Sequence, residues 1–112
     1  MTKVEAFIRP QKLDEVQQAL SDIGVHGLTV TEVRGAGKQK GFTQHYRGAE
    51  YTTDFVPKVK IEVFVTDNLA LHVIETITRS AKTGTVGDGK IFMSDLGSVV
   101  RIRTGEMGES AL

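Results

Sequence analysis

The sequence predicts an α+β fold in which two strand-helix-strand units share one antiparallel sheet, with both helices on one face. Apolar residues change from a spacing of two to helical spacing and back again, and this happens once in each half of the chain. The length of 112 residues allows one modest core. We therefore expect a ferredoxin-like βαβ-βαβ sandwich that forms a single domain over residues 1–112.

The first unit begins with an alternating, β-rich segment at residues 3–8. Pro10 closes this strand because proline cannot donate a hydrogen bond to a ladder. From residue 12 the apolar positions recur at helical spacing until Gly24, which predicts an amphipathic helix. Alternation then returns in residues 28–33, which predicts the second strand.

A long connection follows the second strand and contains few apolar residues. Connections of this length in a compact domain are usually functional or mobile, so residues 37–55 are expected to form a long mobile loop. Residues 58–65 alternate cleanly and predict the third strand.

The second unit continues with a helix that begins near Asp67 and ends by Gly84. Two short strands are expected next, at residues 90–93 and 99–103, and residues 107–112 form a C-terminal tail. An antiparallel sheet with both helices on one face needs cover on the other face, and a symmetric oligomer is the ordinary way to supply it.

Composition excludes several classes of function. The 14 basic residues balance the 14 acidic ones, so no overall field attracts nucleic acid or an anionic membrane. The absence of cysteine excludes a thiol nucleophile and a thiolate metal site, and it fits the cytoplasm. Neither a signal-like N-terminus nor an apolar run of about 18 residues is present, so no membrane insertion is expected.

The densest local signal is the segment GTVGDGK at residues 84–90, with three glycines and a lysine. Glycines allow backbone N–H groups to approach phosphate oxygens, and a lysine adds a point charge. A plain turn with positive φ at Asp88-Gly89 would explain the same residues. Arg101 and Arg103, if they lie on one strand, would present two guanidinium groups on one face. A solvated face balanced by Glu106 or Asp88 is the alternative. Because the two arginines occur together with the glycine loop, we favour phosphate binding.

Basic residues also lie at both roots of the long loop, in the segment GKQKG at residues 37–41 and at Lys58. If the loop closes, these groups and the Gln39 amide would suit a small dicarboxylate or a metal-bound anion. A flexible charged loop is the simpler interpretation. The three histidines lack metal-ligand spacing, and no Ser-His-Asp grouping is suggested, so no enzymatic activity is expected.

Four segments together resemble one known family, the PII nitrogen-regulatory signal proteins. These segments are VRGAGKQKG (33–41), YRGAEYT (46–52), TGTVGDGKIF (83–92) and VVRIRTGE (99–106). The similarity extends from residue 4 to residue 106. It implies a cytoplasmic homotrimer whose sheets face inward, with ATP or ADP bound competitively in clefts between neighbouring subunits.

The resemblance also implies a set of ligand-binding residues. The nucleotide would be bound by Thr29, Gly37, Lys38, Glu62, Phe64, Gly87, Asp88, Gly89, Lys90, Arg101 and Arg103. The effector 2-oxoglutarate would be bound by Gln39, Lys40, Gly41, Lys58 and Gly87. Mg²⁺ would be ligated by Gln39 and would bridge ATP and 2-oxoglutarate.

The implied function is that of a nitrogen, carbon and energy sensor whose long loop acts on target proteins. Such targets include ammonium transporters, which would recruit the protein to the membrane, and nitrogen-assimilation enzymes or regulators. Arg47 would contact a target, and the Tyr51 phenol could be modified. Ala49 stands where cyanobacterial members carry a phosphorylated serine, and other departures put binding to N-acetylglutamate kinase in doubt.

Two other functions fit the same fold. An RRM-like RNA-binding module shares the βαββαβ order, but its aromatic motif lies on the third strand, whereas Lys40-Gly41-Phe42 precedes that strand here. A small acyl phosphate hydrolase would need an asparagine to position water, and the single asparagine, Asn68, stands at a helix start.

Overall fold

The computed structural model describes residues 1–37, 43–46, 49–52 and 55–112, and the two short middle ranges are described as backbone only. The strands and helices in these ranges are β1 (Thr2–Ile8), α1 (Leu13–Asp22), β2 (Thr29–Gly35), β3 (Thr43–Tyr46), β4 (Ala49–Thr52), β5 (Val56–Val65), α2 (Asp67–Ala81) and β6 (Lys90–Asp95). Short 3₁₀ turns lie at Pro10–Lys12 and Glu109–Ala111.

The four long strands form one antiparallel sheet in the order β2-β5-β1-β6. The central strands β1 and β5 pair along their length, from Thr2 opposite Val65 to Ile8 opposite Val59. This strand order and the two helices confirm the predicted ferredoxin-like βαβ-βαβ fold. As predicted, β1 stops before Pro10, which begins a 3₁₀ turn.

The hydrophobic core lies between the sheet and the two helices. Alternate residues of β1 and β5 are buried, and the residues between them lie on the opposite face. Each fully buried aliphatic side chain stabilises the fold by about 1.5–3 kcal/mol. The largest fully buried aliphatic side chains are Val4, Ile8, Val16, Leu20, Ile61, Val63, Val73 and Ile77.

The second face of the sheet is not covered by either helix. Phe64 and Phe92 are half exposed on this face, and Phe92 meets the edge of Phe7 at 6.0 Å between ring centroids. Beside them, the Lys3 ammonium lies 2.9 Å from a Glu5 carboxylate oxygen and 3.1 Å from a Glu62 oxygen. This open face therefore combines apolar rings with a partly buried ion-pair cluster.

The predicted strand at residues 99–103 is wrong. Val100 forms one isolated antiparallel bridge with Met107, and the residues between them turn back on themselves. The turn closes because Gly105 adopts a φ of +73° and its N–H donates to the Arg101 carbonyl at 2.7 Å. Arg101 thus ends one arm of a tight reversal and Arg103 lies in the turn, so the two side chains do not share one strand.

The long connection contains an element that periodicity did not predict. Strands β3 and β4 pair with each other as a separate two-stranded ribbon, from Thr43 opposite Thr52 to Tyr46 opposite Ala49. Within the described ranges, neither α1 nor α2 combines the length and apolar character needed to cross a bilayer.

Gly89 provides a direct test of how tightly the segment before β6 packs on β1. A Cβ at Gly89 would lie 1.7 Å from the Phe7 carbonyl oxygen, and its φ is +99°. We expect Gly89→Ala to lower the free energy of unfolding by at least about 2 kcal/mol, because a backbone clash and a strained φ act together. Urea denaturation followed by circular dichroism measures this loss.

Gly97→Ala is the matched control, because a Cβ there would meet nothing within 4 Å. Its stability should stay close to that of the parent protein. Equal stabilities for the parent and Gly89→Ala would contradict the close approach of the two backbones.

Candidate functional site

The glycine loop, residues 84–89, links α2 to β6 and lies against the end of β1. Gly84, Gly87 and Gly89 all have positive φ values, of 89°, 106° and 99°. These values bend the chain into a tight loop that residues with a Cβ would resist. Gly89 has the positive φ foreseen for it and lies against the Phe7 carbonyl, but the turn itself is at Val86 and Gly87.

The Asp88 carboxylate holds this loop together from inside. One oxygen accepts hydrogen bonds from the N–H groups of Thr83 and Gly84, each at 2.9 Å, and the other accepts from the Thr83 hydroxyl. Hydrogen bonds from the Thr83 hydroxyl and N–H, together with those from Gly84 and Arg9, hold the pKa of Asp88 well below its ordinary value. Asp88 is thus an ionised internal brace.

Arg9 reaches the loop from the end of β1 and makes three hydrogen bonds. Its Nε donates to Asp88 at 3.2 Å, and its Nη2 donates to the Thr85 hydroxyl at 2.9 Å and to the Val86 carbonyl at 2.8 Å. Sequence reasoning missed this residue. An arginine before a proline at a strand end carries no local sign that its partners lie almost eighty residues away.

Lys58 lies on the open face at the start of β5, opposite Val33 of β2. Its ammonium donates to the Gly87 carbonyl, and its side chain packs near Gly35. Partial burial lowers the pKa of Lys58, and the neighbouring Arg9 charge lowers it further, whereas Asp88 raises it. A second cation close to Arg9 makes this region attractive to an anion.

A cleft of about 700 Å³, here called the loop cleft, opens between the glycine loop and the end of β2. Six of the predicted ligand-binding residues line it: Gly37, Lys58, Gly87, Asp88, Gly89 and Lys90. Phe7, Phe92 and Val86 supply apolar walls. Lysine ammonium groups and glycine-rich backbone in one concave space form a site suited to phosphate or carboxylate.

A second cleft, here called the tail cleft, measures about 600 Å³ and lies at the other end of the open face. Three predicted ligand-binding residues line it, namely Thr29, Glu62 and Phe64. The C-terminal residues Ala111 and Leu112 form its far wall. A half-exposed aromatic ring beside a hydroxyl suits a planar heteroaromatic group.

Arg101 and Arg103 do not lie beside the glycine loop of their own chain. The segment that carries them leaves the sheet at the far end of β6, about 16–20 Å from Lys90. Arg101 is held there by Glu106 at 2.9 Å and by the Ser110 carbonyl at 2.9 Å. The interpretation of two parallel guanidinium groups on one strand, next to the loop, is therefore wrong for a single chain.

Several predicted residues cannot be placed in either cleft. Lys38, Gln39, Lys40, Gly41 and Arg47 lie outside the described residues. Tyr51 lies in β4, where its backbone pairs with Gln44.

Comparison with known proteins identifies relatives over the whole chain. The family model described as "Nitrogen regulatory protein P-II" matches residues 1–106. Proteins named "Nitrogen regulatory protein P-II" from Pasteurella multocida and Klebsiella oxytoca are 58% and 55% identical over 112 residues, which is all of each chain. "Nitrogen regulatory protein P-II 1" of Escherichia coli K12 is 54% identical over the same full length.

The Asp88 brace predicts a specific dependence of stability on pH. Because its folded pKa is lowered, the ionised carboxylate contributes its full stability above the ordinary carboxyl pKa of 3.8 and loses it as pH falls towards the folded value. Asp88→Asn should therefore melt at a lower temperature than the parent from pH 5 to 8, and the difference should shrink below pH 3.8. Thermal melts across this range measure it.

Glu75→Gln serves as control, since Glu75 is exposed on α2 and its replacement removes one negative charge elsewhere. Its melting difference from the parent should stay small throughout. A difference for Asp88→Asn that grows as the pH falls would show that the carboxylate does not stabilise the loop in its ionised form.

Proposed function

The chain belongs to the nitrogen regulatory protein P-II family, a family of signalling regulators, and we propose that it senses adenine nucleotides and 2-oxoglutarate. In this proposal ATP and ADP compete for one site, and 2-oxoglutarate binds together with Mg-ATP. Target proteins then respond to the conformation of the loop at residues 37–55. Family membership supports the nitrogen-regulatory role itself.

The observation that carries the nucleotide proposal is the division of the predicted site between two distant clefts. Lys58 in the loop cleft and Phe64 in the tail cleft stand six positions apart on β5, which is about 20 Å along the strand. The loop cleft offers cations and glycine backbone for phosphates. The tail cleft offers Phe64 and Thr29 for adenine, and Arg101 is held beside its far wall by the Ser110 carbonyl.

A complete nucleotide site would therefore form where the loop cleft of one copy meets the tail cleft of another. Such a contact uses different surfaces on the two partners, and contacts of this kind close into rings when the rotation permits. The proposed ring is the homotrimer of the family. Its interior would cover the open face, including the half-exposed Phe64 and Phe92.

The effector proposal rests on Lys58. A carboxylate of 2-oxoglutarate would pair with its ammonium in the loop cleft, near Gly87, with Lys40 and Gly41 contributing from the loop. Mg²⁺, held by Gln39 and ligand oxygens, would neutralise the clustered negative charge. A ligand shifts the loop only through its different affinity for the loop's alternative shapes, so the nucleotide and 2-oxoglutarate must bias one equilibrium.

Target proteins would bind this loop through Arg47, and modification of Tyr51 would alter that binding. An ammonium transporter or a nitrogen-assimilation enzyme or regulator is the proposed class of target. The protein would act in the cytoplasm and reach the membrane only when a transporter recruits it.

The effector proposal predicts a conditional binding result. Calorimetric titration with 2-oxoglutarate should release heat in the presence of Mg-ATP and little or none with Mg-ADP, because only the first combination completes the metal-bridged site. Light scattering on the same sample should give the mass of a trimer. Equal binding with both nucleotides, or a monomer, would contradict the proposal.

The composite site predicts that two inactive variants complement each other. Lys90→Ala damages the loop cleft and Arg103→Ala damages the tail end, so each pure variant should bind ATP weakly. When both are co-expressed and the mixed trimers are purified through two different tags, about one site in three should be normal, because in every mixed ring one intact loop cleft meets one intact tail end.

The mixture is compared with both pure variants and with the parent protein by counting ATP sites per chain. If each site were built within one chain, every site in the mixture would carry a substitution. Mixed oligomers without a fraction of normal sites would therefore exclude the composite arrangement.

A further inference from the structure

The glycine loop is fastened to the sheet at several points, and Arg9 supplies three of the hydrogen bonds. Its guanidinium group spans the loop from Thr85 and Val86 at one end to Asp88 at the other. Gly89 adds a contact of a different kind, because its backbone lies directly against the Phe7 carbonyl. The loop shape is thus fixed by β1, which itself lies in the middle of the sheet.

The side chain of Asp88 is committed to this fastening. Its two oxygens accept from Thr83, Gly84 and Arg9, so the carboxylate faces donors of its own chain. A carboxylate would also repel phosphate. An anion in the loop cleft must therefore be met by lysine ammonium and backbone N–H groups, whose positions depend on the loop shape.

We propose that Arg9 is the positioning residue of the nucleotide site: it acts through Thr85, Val86 and Asp88 to hold the glycine loop in its anion-binding shape, without contacting the nucleotide. This inference rests on the proposed nucleotide binding and adds a residue to that site. Arg9 lies outside the set that sequence and resemblance predict, and its role follows from its three hydrogen bonds.

The planar guanidinium group is essential to this role. Nε and Nη2 project in fixed directions and reach an acidic group, a hydroxyl and a carbonyl at the same time. A lysine at this position would supply the charge from a single point and could not span the loop. Arg9→Lys should therefore behave like Arg9→Gln in binding, although it keeps the charge.

The experiment compares the parent with Arg9→Gln, Arg9→Lys, Thr85→Ala, Thr85→Ser and the double variant Arg9→Gln/Thr85→Ala. ATP affinity is measured by calorimetry at several salt concentrations, and hydrogen exchange of residues 84–89 is measured without ligand. Arg79→Gln is the control, because it removes the same charge from an exposed position on α2.

Both Arg9 variants should bind ATP about tenfold more weakly than the parent, because charge-assisted hydrogen bonds that shape the site are lost. Their loop amides should exchange faster in the free protein. The salt dependence of binding by Arg9→Lys, which keeps the charge, should stay parallel to that of the parent. Thr85→Ala should weaken binding less, Thr85→Ser should restore it, and Thr85→Ala should add little to Arg9→Gln.

Three results would overturn the inference. Parental affinity in Arg9→Gln would show that the loop keeps its shape without Arg9. A flatter salt dependence in Arg9→Gln with normal affinity in Thr85→Ala would make Arg9 a direct ligand. A parent protein that binds no ATP would remove the proposed function and this inference with it, and that case is recognised because the parent and the Arg79→Gln control fail as well as the variants.

Discussion

The site depends on one interaction, the attachment of the segment after α2 to the end of β1. Asp88 ties this segment to Thr83 and Gly84, and Arg9 ties Asp88 to the strand. Both charged groups are largely withdrawn from solvent. A partly buried ion pair of this kind is costly to break from one side, because the remaining charge loses its partner. Loop and strand are therefore one structural unit, and β6 starts in register because of it.

Under the proposed function, the open face of the sheet explains why one chain would not suffice. It carries aromatic rings at both ends and an ion-pair cluster between them, in which Lys3 joins two carboxylates from neighbouring strands. Burial of the half-exposed rings by another surface is favourable, whereas the charged cluster restricts which surface can cover them. Because the two clefts lie at opposite ends of this face, a copy that covers the rings would also bring a tail cleft to each loop cleft, as the proposed nucleotide site requires.

The periodicity of apolar residues was sufficient to predict the elements that pack against the core. Burial of one face imposes an apolar spacing of two in β5 and a helical spacing in α2. Periodicity failed where no core imposes the pattern. Val100 to Arg103 alternates like a strand, but Gly105 reverses the chain and leaves Ile102 almost fully exposed. The role of Arg9 was equally invisible, because its partners are brought to it only by the complete fold. The glycines and lysines were enough to predict the half of the candidate site that forms the loop cleft. That the site is divided between two clefts could be seen only once the register of the sheet was known.

Under the proposed function, Lys58 would connect the shape of the glycine loop to the binding of the effector. Its ammonium donates a hydrogen bond to the Gly87 carbonyl, within the same loop that Arg9 holds. A carboxylate that takes this ammonium must compete with that carbonyl, so binding and loop geometry cannot vary independently. Partial burial strengthens the competition, because both the ammonium and the carbonyl need a partner once water is excluded. Under the proposed function, the effector would therefore displace the contact between Lys58 and the Gly87 carbonyl. Loss of that contact would be the change that alters the loop.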